Sequence, residues 1–86
     1  MDIDFTTPAD AVEGRLHDTD RFAYDRLWDV LERIAVDVDE AKHRASYVST
    51  FQWWANQLPG TDYTVYWHTV DGKLMVTQIL SEREAR

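Results

Sequence analysis

Residues 40–58, EAKHRASYVSTFQWWANQL, are the stretch whose reading decides the fold. Wound as a helix, they gather Ala41, Ala45, Tyr47, Val48, Phe51, Trp54, Ala55 and Leu58 on one half. Lys42, Ser46, Ser49, Trp53, Asn56 and Gln57 fall on the other half. Read as a strand, the part from Tyr47 to Asn56 is rich in the β-branched and aromatic residues that suit a pleated surface. Strict alternation, however, sets Gln52 and Asn56 beside Trp54 and Val48 on one face, while the helical stripe holds for about five turns. Helix is the favoured reading of 40–58, with Asp39 as its cap.

The preceding segment, residues 20–38 (DRFAYDRLWDVLERIAVDV), has a cleaner helical pattern. Ala23, Tyr24, Leu27, Trp28, Val30, Leu31, Ile34, Ala35 and Val38 share one side. Asp25, Arg26, Asp29, Glu32 and Arg33 share the other, and only Phe22 and Val36 break the division. A helix is expected over 20–36, started by a capping residue in the polar run His17-Asp18-Thr19-Asp20. Before it, Thr7-Pro8-Ala9-Asp10 reads as a helix start, with Thr7 as N-cap, Pro8 in the first turn and Asp10 near the positive end of the dipole. That gives a short helix over 8–16. Residues 2–6 alternate, with Ile3 and Phe5 to one side and Asp2 and Asp4 to the other, which predicts a strand.

Following Leu58, the run Pro59-Gly60-Thr61 stops the helix, and the period changes to two. YTVYWHTV (63–70) and KLMVTQIL (73–80) flank Asp71-Gly72, the dipeptide of a type I′ turn, whose central residues both need φ > 0. The implied register pairs Val70 with Lys73, Trp67 with Val76, Val65 with Gln78 and Tyr63 with Leu80. One face then holds Tyr63, Val65, Trp67, Leu74, Val76 and Leu80, and the other Thr64, Tyr66, His68, Met75, Thr77 and Ile79. Residues 81–86 read as a charged tail. The expected architecture is α+β in one domain, residues 1–86: a short N-terminal strand and three helices packed on a C-terminal antiparallel β-hairpin.

Composition narrows the function classes. Of the 86 residues, 44% are hydrophobic and 13% aromatic, which is too apolar for a disordered chain. No cysteine is present, so disulfides and thiolate metal sites are excluded. No apolar run approaches the roughly 20 residues that span a bilayer, and a cytoplasmic location is expected, that of the host if the chain is of phage origin. The net charge of −7 is unevenly placed. Residues 1–40 carry twelve carboxylates against four arginines, whereas residues 41–86 carry four against five basic residues. Such a field repels nucleic acid and membranes and attracts basic protein surfaces.

Reactive motifs are sparse. With glycines only at 14, 60 and 72, no phosphate-cradling loop can be built. His17, His43 and His68 are scattered; Asp39 and His43 are four apart, but no third ligand accompanies them, so neither a metal nor another cofactor is expected. No catalytic residue and no enzymatic activity are expected either. The charge pattern favours a small acidic inhibitor that occupies a basic groove by imitating nucleic-acid phosphate, as phage inhibitors of nucleases and CRISPR complexes do. Its expected binding residues are Asp25, Asp29 and Glu32 on the second helix, the cluster Asp37, Asp39 and Glu40, and Trp53 as an exposed aromatic anchor. The expected partner is a basic protein surface, that of a nucleic-acid-binding protein, with no direct contact to nucleic acid or membrane. A homodimer or non-catalytic scaffold is a further reading.

The last third supports an alternative. In length, in element order and in the run KLMVTQILSERE, the chain resembles the RelE/ParE toxins of toxin–antitoxin pairs. The resemblance implies an RNA-cleaving or gyrase-directed toxin, with Arg83 where that family places an active-site arginine late in the chain. The family's basic strand residues have no counterpart: residues 45–70 contain neither Lys nor Arg.

Overall fold

A computed structural model describes residues 1–83. In chain order the elements are β1 (Ile3–Phe5), α1 (Thr7–Thr19), α2 (Arg21–Val36), α3 (Val38–Arg44), β2 (Ser46–Val48), β3 (Trp53–Gln57), β4 (Tyr63–Val70) and β5 (Lys73–Ser81). Three helices and a five-stranded mixed sheet make an α+β fold. The sheet order is β1-β5-β4-β3-β2. β1 runs parallel to β5, and every other neighbouring pair is antiparallel. Of the expected charged tail, Ser81 closes β5 and residues 84–86 lie outside the described residues.

Aspartates punctuate the helical layer. The Asp20 backbone N–H donates to the Leu16 carbonyl, closing α1, while its carboxylate accepts from the Ala23 N–H and opens α2. Asp37 does the same between α2 and α3, donating to the Arg33 carbonyl and accepting from the Glu40 N–H. Each satisfies groups that a helix end would otherwise leave unpaired. The cap of α3 is thus Asp37, where Asp39 was expected. α1 begins one residue earlier and ends three later than the expected 8–16, because Thr6 and not Thr7 is its N-cap. The Thr6 hydroxyl also donates to the Thr77 carbonyl at 2.7 Å, which ties the start of α1 to β5.

The expected third helix, 40–58, is corrected. Only its first turns are helical, and α3 ends at Arg44. From Ser46 the chain forms a β-hairpin, β2–β3, turned through Ser49–Gln52 with Gln52 at φ = 58°. The cause lies in β4. Its middle, at Val65 and Trp67, is buried, and the backbone polar groups there need partners on both edges. β5 serves one edge and β3 the other, with Trp54 opposite Trp67 and Asn56 opposite Val65. A helix at 47–57 would have left the second edge bare. The apparent helical stripe was partly coincidence, since Tyr47 and Phe51, both placed on its apolar half, are 51% and 59% exposed.

The β4–β5 hairpin turns at Asp71 and Gly72, both with positive φ, at 52° and 75°. Its register departs from the expected one beyond Trp67↔Val76. A bulge between Tyr66 and Trp67 leaves Thr77 without an opposite residue, so that Val65 faces Ile79 and Tyr63 faces Ser81. One extra residue inverts the faces of everything after it. Ile79 is therefore buried and Leu80 is not, the reverse of the expectation. The core lies between the sheet and α1–α2. It comprises Ala9 and Leu16 of α1, Ala23, Leu27, Leu31 and Ile34 of α2, Ala41 of α3, Leu58, and Val65, Trp67, Leu74, Val76 and Ile79 of the sheet. Phe22, which broke the helical pattern of α2, lies over the Pro59-Gly60 turn: a Cβ at Gly60 would meet its ring at 3.2 Å.

Candidate functional site on the open sheet face

The sheet has one face filled by the core and one that the helices leave uncovered. Pleat and register place Trp53, Ala55 and Gln57 of β3, Thr64, Tyr66 and His68 of β4, and Met75, Gln78 and Leu80 of β5 on the uncovered side. All but Gln57 are half-buried. None is charged by composition. On that side Asp4 and Lys73 pair with each other at 3.5 Å beside the β1 edge.

Aromatic rings organise one end of this face. Phe51 stacks on Trp53 at 4.7 Å with 21° between the planes, and Trp53 meets Tyr66 at 6.3 Å. Two residues further along β4, on the same side, stands His68. A phenol and an imidazole two residues apart on one strand face lie about 7 Å apart, a span suited to a group held between them. Arg83 is exposed two residues past the end of β5. Around the β2–β3 turn, Tyr47 lies against Trp54 at 4.8 Å, and the Lys42 ammonium sits over the Trp54 ring at 5.5 Å.

The expected binding residues are dispersed and largely engaged. Asp25 pairs with Arg21 at 3.7 Å, Asp29 with Arg26 at 3.7 Å and Glu40 with Arg44 at 2.8 Å. Asp37 is occupied as a helix cap. Glu32 and Asp39 are exposed. Three of these carboxylates, Asp29, Glu32 and Glu40, line a groove of about 890 Å³ between α2, α3 and the end of β3, together with Val30, Val36 and Pro59. Trp53, placed by sequence on the polar side of a helix, stands instead on the uncovered sheet face. Sequence reasoning missed Tyr66 and His68 as a pair, although their alternation in YTVYWHTV put them on the mixed face from the start. Among the described residues, no three His, Asp or Glu side chains converge as a metal site, and no helix is long and apolar enough to cross a membrane.

No protein-family model and no curated protein matches the chain. Its fold does have a solved counterpart. The chain is similar to a YoeB/ParE toxin from Agrobacterium tumefaciens, with a TM-score of 0.80 and 12% identity, over 95% of this chain and 99% of that one. At that identity the likeness is one of fold.

It nevertheless corrects two expectations. The main reading, an acidic nucleic-acid mimic of the anti-CRISPR kind, is overturned, because the chain takes nearly end to end the fold of a toxin. The arginine pairing of Asp25, Asp29 and Glu40 gives the physical reason, since a carboxylate already matched by a neighbouring cation is a poor phosphate substitute. The expectation that the chain is not an enzyme loses its basis in the same comparison.

Proposed function

We propose that this protein is the toxin of a toxin–antitoxin pair, an RNA-cleaving member of the YoeB/ParE kind that works in the cytoplasm from the uncovered face of its sheet. The fold likeness over 95% of the chain carries this reading. Tyr66 and His68, side by side on that face, favour cleavage over simple occlusion. RNA brings its own nucleophile. The 2′-hydroxyl oxygen attacks the adjacent phosphorus, its proton passes to a base, the bond from phosphorus to the 5′-oxygen breaks, and that oxygen takes up a proton. A 2′,3′-cyclic phosphate and a free 5′-hydroxyl result. In this scheme His68 takes the proton, Tyr66 supplies one to the leaving oxygen, and Arg83 offsets the charge building on the phosphorus oxygens.

Acidity is no obstacle to this role, because it is segregated. The carboxylates of Asp25, Asp29 and Glu32 lie on α2, while Trp53, Tyr66 and His68 stand on β3 and β4 of the uncovered face. The helix layer instead suits a neutralising partner protein. A partner segment with an apolar stripe and a basic flank would set the stripe on Val30, Val36 and Pro59 and a cation against Glu32.

Controlled expression in a bacterial host tests the reading. Growth arrest with new RNA ends bearing 5′-hydroxyls, lost in His68→Ala and Arg83→Ala at unchanged protein level, is expected. Normal growth, or arrest that persists in both variants, would overturn it.

A further inference from the structure

We infer that Thr77, the extra residue of the β5 bulge, is a positioning residue that holds Tyr66 beside His68 on the uncovered face. The inference rests on the RNA-cleaving reading above and deepens it. His68 faces Met75 and Tyr66 faces Gln78, so three residue steps on β5 span two on β4. The bulge therefore falls between the strand partners of the two residues that would handle protons. An inserted residue bends its strand and adds twist, and bulges next to reacting groups re-aim the side chains beside them.

Three bonds hold the inserted residue in place. The Thr77 hydroxyl donates to the Tyr66 carbonyl at 3.0 Å, reaching across to β4. From the start of α1, Thr6 donates its backbone N–H to the Val76 carbonyl at 3.0 Å and its hydroxyl to the Thr77 carbonyl at 2.7 Å. Thr77 is only 7% exposed, so little water competes for its hydroxyl. The bond to Tyr66 bears on the site directly. The Tyr66 carbonyl belongs to the peptide plane shared with Trp67, whose indole is wholly buried and fastened to Asn56. Fixing that plane against an immobile neighbour sets the direction in which the Tyr66 side chain leaves the strand. Trp53 steadies the other end of the side chain, with 6.3 Å between the ring centroids.

A bulge needs no hydroxyl, and valine has nearly the same branched shape as threonine. What threonine adds here is a donor aimed at the Tyr66 carbonyl. Thr77 has no contact with the phosphate in this scheme. Its effect passes through the phenol, which must reach the leaving 5′-oxygen, and a misplacement of about 1 Å at such a group costs on the order of 100-fold in rate.

Three variants of the full chain test the assignment. Thr77→Val keeps the shape and loses the donor, Thr77→Ser keeps the donor, and Asp20→Ala removes a cap within the helical layer as a control for lost stability. In solution NMR, the cross-peaks between the Tyr66 and Trp53 rings should weaken in Thr77→Val and persist in the other two. In host cells at matched protein level, Thr77→Val should produce 5′-hydroxyl RNA ends about 10- to 100-fold more slowly, with the parental rate kept by Thr77→Ser and Asp20→Ala. In a Tyr66→Phe background, Thr77→Val should cost no further rate, because both changes act on the same phenol. Unchanged cross-peaks or a parental rate in Thr77→Val would overturn the inference. So would a loss that Thr77→Ser shares, that Asp20→Ala reproduces, or that adds in full to Tyr66→Phe. The two readings fail separately. If the parent chain makes no RNA ends, the toxin reading falls and the cross-peaks alone decide whether Thr77 sets Tyr66; if parent and Thr77→Val cleave alike, only the role of Thr77 falls.

Discussion

The indole N–H of Trp67 donates to the side-chain oxygen of Asn56 across 2.6 Å, joining β4 to β3 inside the fold. Trp67 is wholly buried, so its N–H has no water to turn to. Removing the acceptor leaves a buried donor unpaired, which costs about 1–3 kcal/mol. Asn56→Ala should therefore lower the unfolding free energy by that amount in a urea titration. Asn56→Asp, which keeps an acceptor, should lose less. Equal stability of Asn56→Ala and the parent chain would mean that the bond contributes nothing to folding.

Thr6 makes two bonds with one hydroxyl, accepting from the Ala9 N–H at 3.4 Å and donating to the Thr77 carbonyl at 2.7 Å. The first caps α1, and the second anchors it beside the bulge of β5. Thr6→Val keeps the shape and removes both. A loss of about 1–2 kcal/mol is expected, at the upper end of what N-caps contribute, and is measurable by thermal melting. A melting point within error of the parent's would refute the double role.

Leu31 lies at the centre of the helical layer and is wholly buried with Leu27 and Ile34. Leu31→Ala should cost about 2–5 kcal/mol, depending on how far the neighbours relax into the space. In a domain of this size that is a large share of the total stability. The variant should be detectably unfolded at moderate urea, and a shift under 1 kcal/mol would place this side chain outside the packed core.

The groove between α2 and α3 predicts a charge-dependent partner. Glu32 is exposed there and has the apolar side chains of Val30 and Val36 beside it. Glu32→Arg should weaken the neutralising protein's binding about tenfold or more, chiefly through charge reversal at the contact, and should leave growth arrest intact. Unaltered neutralisation would move the partner elsewhere on the surface. Since exposed charges are screened by salt, the wild-type affinity should also fall as ionic strength rises.

Much of the architecture follows from local patterns. The stripe of residues 20–36 and the paired runs about Asp71-Gly72 needed no tertiary information, because amphipathic period and turn chemistry are properties of adjacent residues. Legibility ended in two places. For residues 46–57 the local signals were balanced between helix and strand, and the choice fell to the unpaired edge of β4. In β5 one inserted residue, Thr77, exchanged the faces of Ile79 and Leu80, and nothing in KLMVTQIL marks it. The site suffered most from the first error. With 46–57 read as a helix, Trp53 could not meet Tyr66.

By itself, then, the amino-acid order determined the α+β class, the α2 helix, the β4–β5 turn and the concentration of carboxylates in the first forty residues. Only the tertiary structure decided that β2 and β3 complete a five-stranded sheet, that Asp25, Asp29 and Glu40 are matched by arginines and Asp20 and Asp37 spent as caps, and that an aromatic sheet face is left uncovered by the helices. The reason is the range of the forces concerned. Periodicity and capping act within a few residues, but the pairing of a strand edge and the facing of two side chains are settled by segments distant along the chain.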